Sequence, residues 1–166
     1  MNKSNHDNPE QTPRPTPTRV LLREIAESIG LQSDEMTAYL NLKTGEVIPV
    51  AEESVMAADA GEDTCPLTGE PLDEVRAIMA GDGYVELPDF REANEYGMME
   101  QFATSIDDQA VSDSLMTVLR DRRPFRHFKD AVHRMGLAES WYKFRDAEYT
   151  KLAVEWCEYH DIPYDR

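Results

Sequence analysis

The feature that most constrains the fold is a segment in which apolar and polar residues alternate. Residues 36–42 read Met-Thr-Ala-Tyr-Leu-Asn-Leu, and a second apolar stretch at 47–50 follows after Lys-Thr-Gly-Glu. Alternation is typical of a half-buried strand, and a short link containing glycine is typical of a hairpin. We therefore expect a hairpin over 36–50. Because Pro49 has no N–H group, the second strand should lie at a sheet edge or carry a bulge.

Further along the chain the apolar period changes to that of helices. A short strand is expected at 84–87, ended by Pro88, and helices are expected to begin near Arg91, at a Ser105/Asp108 capping box, at Pro124 and near Glu139. This order predicts an α+β fold. A small antiparallel sheet, made of the 36–50 hairpin and the 84–87 strand, should pack against a helical C-terminal half.

A helix is also expected before the hairpin. Leu22, Ile25 and Ile29 share one helical face, with Thr18 as the predicted N-cap. Gly30 is then predicted to end this helix in the left-handed conformation that favours glycine.

The domain organisation follows from composition. Residues 1–18 are polar, contain four prolines and lack aromatic residues, which predicts a disordered tail. Residues 19–162 have the length and apolar content of a single α+β domain. Within it, the acidic segment 51–69 is expected to be loose, with about one helical turn near Val55.

Charge is distributed unevenly along the chain. The net charge is −16, and residues 34–113 carry 20 Asp or Glu but only three Lys or Arg. Residues 120–151 carry nine Lys or Arg and five acidic residues. The overall balance repels nucleic acid and anionic membranes at long range, but screening over about 8 Å leaves room for a local basic surface to act.

One part of the basic segment predicts a binding site. Pro124 suits the first position of a helix, which places two arginines at its positive end, where they are unfavourable without a negative partner. First-turn N–H groups and guanidinium groups together suit a phosphate or carboxylate. The predicted anion-binding residues are Arg122, Arg123, Arg126 and Lys129.

A second interpretation accounts for the same residues without a ligand. Asp121, or the acidic residues of the 107–113 segment, would neutralise the arginines within the protein. The following aromatic segment is similarly ambiguous, because its side chains could stack on bases or belong to a core helix, and their apolar spacing favours the core. These residues are Trp141, Tyr142, Phe144 and Tyr149, interleaved with Lys143 and Arg145.

Catalytic and cofactor motifs are not evident. The histidines and carboxylates lack metal-ligand spacing, and there is no phosphate-binding loop or dinucleotide fingerprint. Cys65 and Cys157 are far apart and are expected to be reduced, as in a cytoplasmic protein. No apolar run is long enough to span a membrane, and no secretory signal is apparent. We therefore expect a cytoplasmic protein without catalytic residues, cofactor or metal, and without a membrane partner.

These observations favour a non-enzymatic interaction or regulatory protein. Its basic helical face would bind an anionic partner, whether a nucleic acid, a phosphate-bearing ligand or an acidic protein, or its acidic half would bind a basic partner. The alternative is an enzyme acting on a phosphorylated small molecule at the same helix start, with a general base supplied by Asp130, His127 or His133.

Three stretches of the chain, taken together, carry a family resemblance. They are residues 31–47, the Tyr-Val-Glu-Leu-Pro stretch at 84–88, and Phe-Arg-His-Phe-Lys-Asp at 125–130 with Trp-Tyr at 141–142. In this order they resemble the bacterial uncharacterised protein family UPF0158, over about residues 19–162. The resemblance implies a small bacterial cytoplasmic protein, and it transfers no catalytic residues. The proline-bearing tail and the turn at Cys65 depart from the family pattern.

Overall fold

The computed structural model describes residues 17–166, except for the side chains at positions 90 and 92. The predicted tail lies outside the described residues apart from its last two positions. The elements are β1 (Val20–Leu21), α1 (Leu22–Leu31), β2 (Met36–Asn41), β3 (Val47–Ala51), α2 (Glu52–Asp59), α3 (Asp73–Ala80), β4 (Tyr84–Glu86), α4 (Phe90–Ala93), α5 (Glu95–Ser105), α6 (Gln109–Leu119), α7 (Pro124–Arg134), α8 (Ala138–Tyr159) and β5 (Tyr164–Asp165).

The predicted sheet is present. Strands β3, β2 and β4 lie side by side in that order, and both pairings are antiparallel. Pro49 is on β3 and lies opposite Ala38 of β2. Strand β3 is an edge strand, as expected for a strand whose proline has no N–H group. Gly45 in the hairpin turn has a φ of 77°, a conformation that glycine adopts without strain.

Sheet and helices share one core, which confirms the α+β class. Ala38, Leu40 and Leu87 from the sheet region belong to the same buried cluster as residues of α1, α5, α7 and α8. At its centre Trp141 is surrounded by aromatic rings, with Phe128 at 4.9 Å and Phe102 at 5.4 Å between ring centroids, both edge to face. Such pairs stabilise a core beyond the area they bury.

A buried glutamine connects α1 to the sheet. Gln32 is only 9% exposed. Its Nε2 donates to the carbonyl of Pro88 at 2.5 Å, and its Oε1 accepts from the backbone N–H of Ala38 at 3.0 Å. Both ends of the side-chain amide are therefore used, as burial of a polar group requires.

The first residues of the described chain differ from the prediction. Thr18 is not the N-cap of α1, which begins after Leu21. Instead its backbone N–H donates to the carbonyl of Leu42 at 2.9 Å and its hydroxyl to that of Lys43 at 2.6 Å. These partners are distant in sequence, so local helix signals could not reveal them.

The ends of the domain meet in a short parallel ladder. Val20 pairs with Tyr164 and Leu21 with Asp165, and an ion pair at 2.8 Å joins Arg19 to Asp165. The fold therefore includes residues beyond the predicted boundary at 162.

Two helix boundaries also differ from expectation. Gly30 lies within α1 rather than after it, and a Cβ atom placed there would be 3.4 Å from the ring of Tyr149. Helix α6 is capped by Asp108 alone, whose Oδ1 accepts from the N–H groups of Ala110 and Val111, whereas the hydroxyl of Ser105 donates to the preceding helix.

The acidic segment 51–69 is more ordered than predicted. It contains the two-turn helix α2, which packs with α3 around a small cluster separate from the main core, formed by Ala57, Ala58, Cys65 and Leu72. None of the helices in residues 17–166 has the combination of length and apolar character needed to cross a bilayer.

Candidate anion-binding site

The candidate site lies where α6 turns into α7. Arg120 forms the C-cap of α6, and a turn of three residues leads to Pro124, the first residue of α7. The N–H of Asp121 donates to the carbonyl of Val118 at 3.3 Å, which continues the end of α6 into the turn. Proline supplies the φ that a helix start requires, and its missing N–H removes no helical hydrogen bond there.

Asp121 holds the turn in place. Its Oδ1 accepts from the backbone N–H of Arg122 at 2.7 Å, and its Oδ2 lies 2.9 Å from Nδ1 of His127. The N–H of Arg122, followed by the contact with His127, holds the pKa of Asp121 below its ordinary value. The carboxylate therefore makes its close contacts with a backbone amide and an imidazole rather than with a guanidinium group.

The four predicted binding residues are exposed and close in sequence around this turn. We call Arg122, Arg123, Arg126 and Lys129 the basic corner. Across the described part of the chain, no carboxylate lies within 4.0 Å of their charged groups. No described side chain caps the first turn of α7 either. The four side chains are thus exposed beside a helix start that no described side chain caps.

Two of the three acidic residues of the 107–113 segment have partners away from this turn. Asp108 caps the start of α6, and Asp113 accepts a hydrogen bond of 2.8 Å from Gln109. An 11-residue helix is about 16 Å long, so Asp108 is about two Debye lengths from the turn. These carboxylates are poorly placed to neutralise the basic corner.

The inner face of α7 fixes the corner on the core. Phe128, Ala131 and Val132 are fully buried. Phe125, three positions before Phe128, is 45% exposed and contacts the ring of Tyr96, at 6.5 Å between centroids. Helical spacing places Lys129 on the same side of α7 as Phe125, one turn further on. The exposed ring is the feature that sequence periodicity missed, because it assigns a face but not its degree of burial.

The aromatic segment of α8 belongs to the core, as its spacing favoured. Trp141 is fully buried and Tyr149 is nearly so. Arg145 lies over the rings of Tyr142 and Tyr149, with its Cζ atom 5.1 and 5.8 Å from their centroids, and pairs with Asp146 at 3.5 Å. These rings are not free to stack on bases.

The residues proposed as general bases have separate contacts. His127 contacts Asp121, and the ring centroid of His133 lies 6.2 Å from that of Tyr142. A groove of about 1050 Å³ lies between α1 and α8, and none of His127, His133 and Asp130 lines it. Within residues 17–166 there is no group of three His, Cys, Asp or Glu side chains that could hold a metal ion.

The structure therefore defines a small α+β protein with an exposed basic corner at the turn between α6 and α7. A family model for the uncharacterised protein family UPF0158 matches residues 16–165, and the chain belongs to this family. It is similar to the UPF0158 protein PA5073 of Pseudomonas aeruginosa, with 24% identity over 147 residues that cover 88% of this chain and 86% of the relative. No solved structure shows significant similarity to the chain.

Proposed function

We propose that this protein is a non-enzymatic interaction or regulatory protein of the cytoplasm that binds an anionic partner through its basic corner. The observation that carries the proposal is the exposure of four cationic side chains without an ion pair to any described carboxylate. Nucleic acids, phosphate-bearing ligands and acidic proteins share the negative charge that such a surface recognises.

The position of the arginines adds to this argument. The first turn of α7 carries a partial positive charge, so Arg122, Arg123 and Arg126 are placed where cations are electrostatically unfavourable. The C-terminus of α6, with Arg120 as its C-cap, adjoins the same turn. Its partial negative charge offsets part of the unfavourable interaction between the arginines and the start of α7. A bound anion would accept hydrogen bonds from the arginines and from the uncapped amides of α7 at the same time.

The net charge of −16 does not prevent such binding. Residues 120–134 contain six Lys or Arg and two Asp, so the corner is locally positive. Charges further away than about 8 Å are largely screened at physiological salt, so acidic residues beyond that distance weaken a contact formed at the corner only slightly. The cytoplasmic assignment rests on Cys65 and Cys157, both free and buried.

The enzyme alternative has weaker support. A phosphorylated substrate would need a concave site with a general base beside it, and none of His127, His133 and Asp130 lines the groove between α1 and α8. A thermal-shift screen with nucleotides and sugar phosphates tests it, because any ligand that binds the folded state raises the melting temperature.

The proposed function is tested by retention on immobilised heparin at low salt. The test variant combines Arg122→Ala, Arg123→Ala and Arg126→Ala. The control variant combines Arg23→Ala, Lys43→Ala and Lys143→Ala, which removes the same charge from other exposed positions. We expect the wild type and the control to be retained, and the test variant to pass through with a melting temperature within a few degrees of the wild type. Equal elution of the two variants, or no retention of the wild type, contradicts the proposal.

A further inference from the structure

We infer that the anionic partner is a single-stranded nucleic acid, with Phe125 as the surface on which a base stacks. This inference rests on the proposed function, and it adds the identity of the partner. Its basis is an exposed aromatic ring among cations that have no ion pair to a described carboxylate. A site for phosphate or for an acidic peptide does not require such a ring.

The ring of Phe125 contacts the ring of Tyr96 and is otherwise partly exposed. It meets Tyr96 edge to face, with an angle of 64° between the rings, and nearly half of the residue remains exposed. Tyr96 is itself fixed, since its hydroxyl donates to the carbonyl of Leu119 at 3.0 Å in the last turn of α6. The Phe125 ring is therefore pre-positioned, which lowers the entropy cost of stacking on a ligand.

Exposed cations flank this ring in the chain. Lys129 lies one turn later on the same side of α7, while Arg126 follows Phe125 directly and Arg122 lies in the turn three positions before it. A single strand presents flat base faces and negative phosphates in alternation, and proteins bind it with aromatic rings interleaved with basic side chains. The same arrangement recurs here within eight residues, from Arg122 to Lys129.

Other polyanions use only part of this surface. In a duplex the base faces are stacked on one another, so the Phe125 ring would gain no base contact. An acidic peptide offers carboxylates to the arginines but no flat face for the ring. A single strand is the ligand that uses both features.

Binding is measured by fluorescence anisotropy with a labelled RNA of about 12 nucleotides and mixed sequence, a length within the usual site sizes. The matching DNA strand, the RNA duplex and a polyglutamate peptide of equal charge serve as competitors. We expect either single strand to compete at least tenfold better than the duplex or the peptide, by roughly the contribution of one stacked base. Four phosphate contacts predict a slope of about −3 for the logarithm of affinity against that of salt concentration.

Two substitutions of Phe125 isolate the ring. Phe125→Leu keeps apolar volume but removes the aromatic face, and should weaken RNA binding about tenfold while leaving heparin retention unchanged. Phe125→Tyr keeps the face and should bind within about twofold of the wild type. Their melting temperatures confirm that both variants fold.

The outcomes separate the two proposals. If heparin is retained but Phe125→Leu binds RNA as tightly as Phe125→Tyr, or the wild type binds duplex or polyglutamate as tightly as single strands, the partner inference is wrong and the proposed function stands. The competition experiment on the wild type tests the partner inference even if Phe125→Leu is unstable. If the wild type binds neither heparin nor RNA, both proposals are wrong.

Discussion

Trp156 on α8 donates a hydrogen bond of 3.0 Å from its indole Nε1 to the backbone carbonyl of Glu86 on β4. The two residues are 70 positions apart in the chain. This contact joins the last long helix directly to the edge of the sheet, in addition to the apolar core that the two share. The helical half is thus positioned by a directional bond as well as by packing.

Replacing Trp156 by phenylalanine tests the contribution of this bond. We expect Trp156→Phe to lower the free energy of unfolding by about 1–2 kcal/mol, since the carbonyl of Glu86 loses this donor and some apolar area is lost. Urea denaturation measures the change. Tyr159→Phe on the same helix is the control, because Tyr159 is 83% exposed and its substitution should have no measurable effect.

Gln32 should be among the most sensitive polar positions. Gln32→Leu removes partners from the N–H of Ala38 and the carbonyl of Pro88, and should cost about 2–4 kcal/mol in the free energy of unfolding. Gln32→Glu keeps an acceptor for Ala38 but not the donor, and should also be destabilising. An unchanged urea midpoint in both variants would show that water replaces these bonds.

Gly30 and Gly136 should respond oppositely to alanine. Gly30 lies in helical conformation, and the added methyl group would make an ordinary contact with Tyr149, so Gly30→Ala should stabilise the protein by up to about 1 kcal/mol. Gly136 has a φ of 70°, so Gly136→Ala should destabilise it by about 1–2 kcal/mol. Thermal melts of both variants check this. A loss of stability in Gly30→Ala would support the left-handed helix end first expected there.

The thiols of Cys65 and Cys157 should lose their protons at well separated pH values. Hydrogen bonds to its sulfur lower the pKa of Cys65 to about 7. The largest contribution comes from the hydroxyl of Ser54, 3.6 Å from Sγ, and smaller ones come from the N–H and hydroxyl of Thr68 and the N–H of Leu67. Burial raises the pKa of Cys157 to about 11. The ultraviolet absorbance of thiolate should therefore rise in two steps, and Ser54→Ala should move the first step upward. A single step near pH 9 would contradict this prediction.

The same shifts set the sign of the pH dependence of stability. Because the folded pKa of Cys65 is below its unfolded value near 9, its thiolate adds stability as the pH rises from about 7 to about 9, and that contribution is lost as the pH falls through 7. Cys157 acts oppositely and lowers stability between about pH 9 and 11. Urea midpoints of the Cys65→Ser and Cys157→Ser variants across this range separate the two effects.

Sequence patterns predicted those parts of the fold that depend on neighbouring residues. The alternation in 36–42 and the proline that opens α7 both act within a few residues, and each was located correctly. Thr18 and Gly30 were misplaced because their partners, Leu42 and Tyr149, lie far along the chain. Such contacts exist only once the elements have packed.

The candidate site likewise combines features visible in the sequence with features that depend on packing. Charge and helix position are the grounds on which Arg122, Arg123, Arg126 and Lys129 are candidates, and their role in binding stays a prediction. The exposure of Phe125 and the contacts of Asp121 depend on where α7 sits on the core, through Phe128 and Tyr96, and sequence spacing does not contain that information.

The ladder between β1 and β5 has a practical consequence. Since Val20 and Tyr164 are adjacent, a short flexible linker could join the two termini of the described fold, and new termini could be opened in the exposed turn around Gly81. A circular permutant of this kind would keep every helix intact. It would also let fluorophores or fusion partners be attached near Gly81 instead of at the native ends.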